Sequence, residues 1–397
     1  MTGAPAVKGV ILGLLLVAQQ VTPQCGSSGS TASAALQNMV PLIIDAGPAR
    51  NAANVAFLTV TVCVPGQSAN CQAISGVEVD TGSTGLRILS SALTLSLPQQ
   101  TTGGATVTEC FPFQDGYTWG PVATADVQIG SKQASGVPIQ IIGAPGEPAP
   151  PASCTSSGGT SEQTLDALGA NGVLGIGVFL QDCGPGCVFS GSSNAGLYYA
   201  CSSGNCQVTP QSLAQQLQNP VSMFSSDNNG TTIMLPAAST SQTSGTGVLI
   251  FGIGTQSNNA LGNATVFTLD ASGNFVTKYG QTSSTGFIDS GSNGYYFLDS
   301  ATTGLPICPD TKDFYCPQTT TSVTATNTGA NSRSGSVSFN IANGDTQLNL
   351  PDSVLPQIGG PFAGYFDWGL PFFYGRTVFT AIESRTTSGG TGPYFAY

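Results

Sequence analysis

The chain has 397 residues, of which 40% are hydrophobic, so it can form one large domain or two smaller ones. It contains 9 Lys and Arg against 20 Asp and Glu, and this charge of −11 argues against nucleic-acid binding, which requires basic surfaces. Histidine is absent, which excludes Ser-His and Cys-His catalytic arrangements and the most common metal ligand. Any hydrolytic chemistry would therefore use carboxylates, Lys or another group without imidazole.

The N-terminus has the pattern of an export signal. One Lys precedes an apolar run from Val10 to Ala18, which is too short to span a bilayer and predicts a signal peptide over residues 1–24. Cys25 then opens a Gly/Ser-rich stretch, so residues 25–38 are predicted to be a flexible linker. This arrangement resembles that of bacterial lipoproteins, which makes Cys25 a candidate for lipidation. Thr22-Pro23-Gln24 departs from the usual lipoprotein signal, and plain secretion is the alternative.

The remaining sequence is typical of an all-β protein. Short apolar runs separated by Gly, Pro, Asn and Ser predict strands at 55–64, 137–143, 247–254 and 376–383. The best helical signal covers 212–218, and no alternation of strands and helices appears. The polar stretches 144–162, 236–246 and 318–336 are predicted to be surface loops.

The cysteines indicate disulfide bonds in an exported protein. Apart from Cys25 there are ten; close spacing favours four pairs and leaves Cys110–Cys154 as the remainder, although spacing alone does not fix connectivity. A metal site at Cys183-Gly-Pro-Gly-Cys187 lacks support from His or from a second Cys pair. The candidate disulfides are Cys63–Cys71, Cys110–Cys154, Cys183–Cys187, Cys201–Cys206 and Cys308–Cys316.

One acidic motif occurs twice. Residues 80–89 read DTGSTGLRIL and residues 289–298 read DSGSNGYYFL, so Asp, Gly, Ser, Gly and Leu recur at the same offsets. Asp80 and Asp289 are 209 residues apart, about half the chain, and each follows an apolar residue. A single Asp in such a turn is ordinary turn chemistry, but two copies indicate a duplicated unit that contributes one carboxylate from each half.

These twin motifs resemble those of the pepsin-like aspartic peptidases. The segments NGVLGIG (171–177) and DWGLPFFYGRTVFTAIE (367–383) are similar to those that cross behind each Asp loop in that family. NPVSMF (219–224) and GVLIFGIG (247–254) resemble the segments that end the first lobe and open the second. The layout looks most like an uncharacterised group of bacterial exported proteins. The resemblance implies an all-β, bilobal fold of two related β-barrel-like lobes, at 39–220 and 221–397, with a cleft between them.

The same resemblance implies an acid dyad. Asp80 and Asp289 would share one proton, because two carboxylates about 3 Å apart cannot both ionise readily. One would take a proton from water while the other donates to the substrate carbonyl, without histidine. The residues implied to support the dyad are Thr81, Gly82, Ser83, Ser290, Gly291 and Ser292.

The family also covers its cleft with a β-hairpin flap that carries a Tyr. The interval 111–130 matches this hairpin, with Tyr117 as the candidate flap residue and Phe113 and Trp119 as rivals. The alternative for each of them is an aromatic that packs against its own lobe. Arg87 stands where animal pepsins have a Trp that supports the flap, so it either biases the cleft toward anionic groups or lies on a surface strand. The aromatic residues at 365–374 are predicted to be core rather than a sugar-binding platform.

The leading hypothesis is an exported aspartic endopeptidase that acts at acidic pH on peptides or unfolded proteins. The alternative is a catalytically silent surface protein of the same fold that binds peptide or protein ligands, which Arg87 and the absence of a basic propeptide favour. A carboxylate-pair glycosidase and a purely structural surface role are weaker hypotheses. We expect a monomer with no cofactor, no metal and no nucleic-acid partner, and membrane contact only through a lipid on Cys25.

Overall fold

The computed structural model describes residues 37–156 and 159–397. The predicted signal peptide, Cys25 and residues 26–36 of the predicted linker lie outside the described residues. Asn38, at the end of that linker, is fully buried and its side-chain amide donates to the Phe251 carbonyl at 2.9 Å. No helix in the described part of the chain is long and apolar enough to cross a membrane.

Strands dominate both halves of the chain. The strands of the N-terminal half are β1 (Met39–Ile44), β2 (Ala56–Cys63), β3 (Cys71–Asp80), β4 (Thr84–Leu89), β5 (Thr101–Thr102), β6 (Ala105–Pro112), β7 (Gly116–Ile129), β8 (Lys132–Ile142), β9 (Thr160–Ser161), β10 (Gly172–Ile176), β11 (Tyr198–Ser202) and β12 (Asn205–Val208). The strands of the C-terminal half are β13 (Gly230–Met234), β14 (Gly245–Phe251), β15 (Val266–Thr268), β16 (Phe275–Tyr279), β17 (Thr282–Ile288), β18 (Tyr295–Leu298), β19 (Thr321–Thr328), β20 (Ser334–Ile341), β21 (Gly359–Gly360), β22 (Phe362–Trp368), β23 (Thr377–Ala381), β24 (Thr386–Thr387), β25 (Gly390–Thr391) and β26 (Tyr394–Ala396).

Helices are short. The α-helices are α1 (Ala152–Thr155), α2 (Leu165–Leu168), α3 (Ser300–Thr303) and α4 (Gly344–Leu348). Single 3-10 turns occur at Ser90–Ala92, Gly184–Cys187, Gly191–Ser193, Leu213–Gln215, Pro220–Met223, Ser257–Asn259 and Leu370–Phe373.

The four predicted strands are confirmed as β2, β8, β14 and β23. The helix predicted over 212–218 is wrong, because only Leu213–Gln215 form a 3-10 turn. There the amides of Gln216 and Gln218 instead hydrogen bond to backbone carbonyls such as that of Gln211.

The loop predicted over 318–336 is also wrong, because β19 and β20 form a hairpin there. Its inward positions carry apolar residues such as Val323 and Val337, while its outward positions carry Thr and Ser. Opposite hydroxyls pair across the strands, as between Thr324 and Ser338 at 2.8 Å. β-branched Thr is favourable in a half-exposed strand. The segment is polar overall, but its apolar residues recur at every second position, as in a strand with one buried face.

Six strands of the N-terminal half form a closed barrel. Its order is β2-β3-β10-β4-β8-β7, and β7 pairs back onto β2. Strand β10 runs parallel to β3 and antiparallel to β4, so it passes between the two strands that flank the Asp80 loop. The barrel thereby fixes both ends of that loop.

The C-terminal half repeats this local pattern in an open sheet of order β20-β19-β16-β17-β22-β18-β21. Here β22 runs parallel to β17 and antiparallel to β18, between the strands that flank the Asp289 loop. A second sheet of order β1-β14-β13-β23-β26-β15 joins the halves, because β1 also pairs with β2 of the barrel. The fold is therefore all-β and bilobal, as expected.

The core and the disulfides follow the sequence predictions closely. In the aromatic segment, Phe366, Trp368, Phe372 and Phe373 are fully buried and Tyr374 nearly so, whereas Tyr365 is exposed. The five disulfides link the predicted cysteine pairs, including Cys183–Cys187. Such a set of disulfides is typical of proteins that fold in an oxidising compartment, as extracellular proteins do.

Candidate active site

Two hydrogen-bonded loops bring the twin motifs together. The Thr81 backbone N–H donates to the Ser290 hydroxyl at 3.1 Å, and the Ser290 backbone N–H donates to Thr81 Oγ1 at 2.9 Å. Each hydroxyl also donates to the carbonyl before the opposite Asp, from Thr81 to Ile288 at 3.2 Å and from Ser290 to Val79 at 2.7 Å. These four reciprocal bonds explain why a hydroxyl residue follows the Asp in both motifs.

The carboxyl groups of Asp80 and Asp289 approach each other within this frame, because a Cβ built on Gly291 would lie 2.8 Å from Oδ1 of Asp80 and 3.2 Å from Oδ1 of Asp289. The glycines of the motifs make the approach possible. A Cβ on Gly82 would lie 2.5 Å from Cγ of Asp289, and one on Gly291 would lie 2.8 Å from Oδ1 of Asp80. Any side chain at either position would push the opposite carboxyl out of place.

The two carboxyls receive different numbers of hydrogen bonds. Asp80 Oδ1 accepts from the backbone N–H of Gly82 at 2.7 Å and of Ser83 at 3.2 Å, and its Oδ2 accepts from the Ser83 hydroxyl. Asp289 Oδ1 accepts from the Gly291 N–H at 2.8 Å. Asp80 thus has three donors from its own loop, whereas Asp289 has the Gly291 N–H and a more distant Ser292 hydroxyl, 3.1 Å from its Oδ2.

Burial raises the pKa of Asp289 well above its usual range, and the nearby carboxyls of Asp80 and Asp367 raise it further. The Gly291 N–H opposes this shift. Burial and the neighbouring carboxyls therefore favour the protonated form of Asp289.

A third buried carboxyl, Asp367, lies beside this pair. Its Oδ2 is 2.6 Å from the Ser292 hydroxyl, which is 3.1 Å from Oδ2 of Asp289. Sequence analysis quoted Asp367 only within a matching segment and did not single it out. The signal was nevertheless present, because Asp367 is an acid between Phe366 and Trp368 in a chain with only 7% charged residues.

The hairpin of β6 and β7 carries the predicted flap aromatics and distributes them over its two faces. Cys110 pairs with Trp119 and Pro112 with Tyr117, so these residues share one face of the ribbon. Tyr117 and Trp119 are buried there around the Cys110–Cys154 disulfide. Tyr117, the candidate flap residue, and its rival Trp119 therefore pack against their own lobe on this face, and their assignment to the flap stays a prediction.

Phe111, which sequence analysis did not single out, lies on the other face of the hairpin. The Arg87 guanidinium carbon is 3.6 Å from the centre of its ring, and Phe113 packs edge-on against Phe111 at 5.0 Å. Phe113 thus stays a candidate, with Phe111 as the main contact.

Arg87 is fully buried, so its interpretation as a surface residue is wrong. Its guanidinium lies 2.7 Å from Glu109 Oε1 and 3.4 Å from Asp182 Oδ2, and Tyr198 donates to Asp182 at 2.7 Å. Burial opposes the Arg87 charge, but Glu109 and Asp182 outweigh it and raise its pKa. Because two carboxyls occupy the guanidinium, Arg87 anchors the hairpin strand β6 and is not free to attract anionic groups.

A further group of carboxyls interacts with Asp80 through Glu78. Burial, together with the adjacent Asp115 carboxyl, raises the pKa of Glu162 to about 8. Burial also raises the pKa of Glu78, with further contributions from Asp80, Asp115 and Glu162. Sequence analysis missed this group because its members are dispersed along the chain.

The residues offer little to hold a metal ion. Within the described ranges, the only group of three metal-ligand side chains is Cys308, Cys316 and Asp345, and its two cysteines form a disulfide.

Comparison with known proteins supports the architecture. The aspartic proteinase from Irpex lacteus has a similar solved structure, with a TM-score of 0.52 and 15% sequence identity, covering 90% of this chain and 96% of that one. At this identity the likeness shows the fold alone, which is the pepsin-like fold. No curated protein matches the sequence. A family model described as "Protein of unknown function (DUF3443)" matches residues 34–397, and the chain belongs to that family.

Proposed function

We propose that the protein is an aspartic endopeptidase whose dyad is Asp80 and Asp289. The observation that supports this proposal is the close approach of these two carboxyls, whose loops are held together by reciprocal hydrogen bonds. Metal-free hydrolysis of an amide needs a base for water and an acid for the carbonyl oxygen. A carboxyl pair that shares one proton supplies both.

The unequal environments assign the two roles. Asp80, with three donors, is the carboxylate that removes a proton from a water molecule. The water oxygen attacks the amide carbon, while Asp289 gives its proton to the carbonyl oxygen, and a neutral tetrahedral diol forms. In the collapse of the diol the C–N bond breaks, Asp80 gives the proton it took to the leaving amine nitrogen, and Asp289 takes a proton from a diol hydroxyl, which restores the starting state of the dyad. The supporting residues Thr81, Gly82, Ser83, Ser290, Gly291 and Ser292 hold the carboxyls in place.

The proposal includes an acidic working pH, a peptide or unfolded protein substrate, and a monomeric enzyme. We also propose that residues 1–24 direct export and that Cys25 is either lipidated or part of a plainly secreted N-terminus. Mass spectrometry of the mature N-terminus tests this, because a diacylglyceryl Cys25 and an unmodified one differ in mass.

A second candidate function is peptide binding without cleavage. The observation that favours it is that strands cover both edges of the hairpin, β11 on β6 and β9 on β7, with the Cys110–Cys154 disulfide beneath. A hairpin held in this way opens less freely than a ribbon with free edges.

Cleavage of an unfolded protein between about pH 2.5 and 6 tests the proposal. We expect the wild type to release peptides, and D80N and D289N to lose at least about 10²-fold in rate. D166N removes an exposed carboxyl from the first turn of α2 and serves as the matched control with unchanged activity. Peptide binding by a fully disulfide-bonded wild type that cleaves nothing would favour the second candidate instead.

A further inference from the structure

The third carboxyl breaks the symmetry between the two halves. Gly175 is level with Asp80 in the parallel pairing of β3 and β10, and Trp368 is level with Ile288 in that of β17 and β22. Gly369 therefore corresponds to Gly175, and Asp367 corresponds to Val173. The N-terminal half has a buried apolar side chain where the C-terminal half has a buried acid.

Ser292 connects this acid to the dyad. A hydroxyl has one hydrogen to donate, and Ser292 Oγ is closer to Asp367 Oδ2, at 2.6 Å, than to Asp289 Oδ2, at 3.1 Å. In the N-terminal half the corresponding hydroxyl, Ser83, donates to Asp80 and has no such second carboxyl. Asp289 is thus left with the Gly291 N–H as its closest donor.

The Asp367 carboxyl has few hydrogen-bond partners. Its side chain is 4% exposed, and its Oδ1 has no hydrogen-bond partner. The ionisable groups that face it are Asp80, Asp289 and Tyr296, and the Tyr296 hydroxyl is directed to Asn293. None of these three groups is a cation. Burial accordingly raises the pKa of Asp367, against the Ser292 hydrogen bond, and the Asp80 carboxyl adds to the rise.

We propose that Asp367 is a positioning residue that keeps the shared proton on Asp289 by drawing the Ser292 hydroxyl hydrogen toward itself. This inference rests on the proposed peptidase function and refines it. Once Asp367 has lost its proton, it takes the Ser292 hydrogen and places a like charge near Asp289, so the last proton of the dyad is lost only at higher pH. Asp367 therefore sets the alkaline limit of activity and assigns the acid role to the C-terminal Asp.

The test is the pH dependence of kcat/KM for a peptide substrate. D367N keeps the size of the side chain but removes its charge, and its amide can donate to Ser292 while Ser292 donates to Asp289. We expect the high-pH limb of the kcat/KM profile to shift by about one pH unit toward lower pH. D313N, which removes an exposed carboxyl that also faces Tyr296, should leave the limb in place.

A second background tests the route through Ser292. In S292A the shift caused by D367N should be clearly smaller, because the hydroxyl link is absent. An equal shift in both backgrounds would mean that Asp367 acts through space only and would overturn the positioning role of Ser292. An unchanged alkaline limb in D367N would overturn the proposal as a whole.

NMR titration of ¹³C-carboxyl-labelled Asp separates this inference from the proposed function, because it requires no turnover. The Asp289 signal, assigned with D289N, should titrate at lower pH in D367N than in the wild type. If the protein cleaves no peptide but this shift is seen, the peptidase proposal fails and the proton assignment stands. If cleavage occurs and the signal does not shift, the assignment fails alone. If D367N does not fold, the wild-type Asp289 signal must still show a second step as Asp367 titrates, and a single step would refute the coupling.

Discussion

The two Asp loops share a backbone frame but differ in the residues behind them. In the N-terminal half, Val173 pairs with Arg87, whose charge is matched by Glu109 and Asp182. In the C-terminal half, Asp367 pairs with Tyr296 in the strand register, and no cation in the described part of the chain interacts with this acid. The duplicated fold supplies two equivalent carboxyls, and these residues behind the loops make them unequal. One half carries a charge network that anchors the hairpin, and the other carries an acid that acts on the dyad.

The largest expected effect concerns the buried cation of the N-terminal half. R87M would leave Glu109 and Asp182 buried without their partner, and we expect unfolding free energy to fall by about 3–5 kcal/mol. Y296F, the corresponding change in the C-terminal half, removes only one hydroxyl and should cost about 1 kcal/mol. Urea denaturation measures both. Equal losses would show that the halves do not differ in this way.

The next prediction concerns what the halves share. G82A and G291A should each lower kcat/KM by about 10²-fold or more, because the added Cβ displaces the opposite carboxyl. G186A is the control, since its Cβ would meet only ordinary contacts, 3.5 Å from Ala195. Full activity in either loop variant would contradict the close approach of the two carboxyls.

Stability should depend on pH in the direction that the buried acids set. A carboxyl whose folded pKa is raised stabilises the fold fully below its unfolded pKa, and this contribution is lost as pH rises through the folded pKa. For Glu162 that window runs from its ordinary pKa of 4.5 to about 8, and the pKa values of Asp289, Asp367 and Asp182 are shifted in the same direction. The urea concentration at the unfolding midpoint should therefore decrease as the pH rises from about 4.5 to 8. This decrease should be smaller in E162Q. A midpoint that rises over this range would contradict the shifts.

The smallest expected effect concerns the hairpin, which only the N-terminal half contributes. F111L removes the ring that stacks on Arg87 and should lower kcat/KM about tenfold, or ~1.4 kcal/mol. Y117F, on the opposite face, should leave activity unchanged. The reverse result would support Tyr117 as the flap residue.

Much of this architecture could be predicted because its signals are local. The Asp motifs, the apolar runs and the close cysteine pairs can each be recognised within about ten residues of sequence. The faces of the hairpin could not be predicted, since a shift of one residue in register exchanges them. The partners of Arg87 are 22 and 95 residues away, and topology alone brings them together. Asp367 was missed because its role depends on Ser292, 75 residues earlier.

The most direct test of the account compares D80N, D289N and the double variant D80N/D289N in one peptide-cleavage assay near pH 4. If the two carboxyls act as one unit, either single substitution already abolishes the function of the dyad. The double variant should then be no slower than the slower single variant. If the losses multiply, or if either single variant keeps wild-type activity, Asp80 and Asp289 do not form one catalytic dyad.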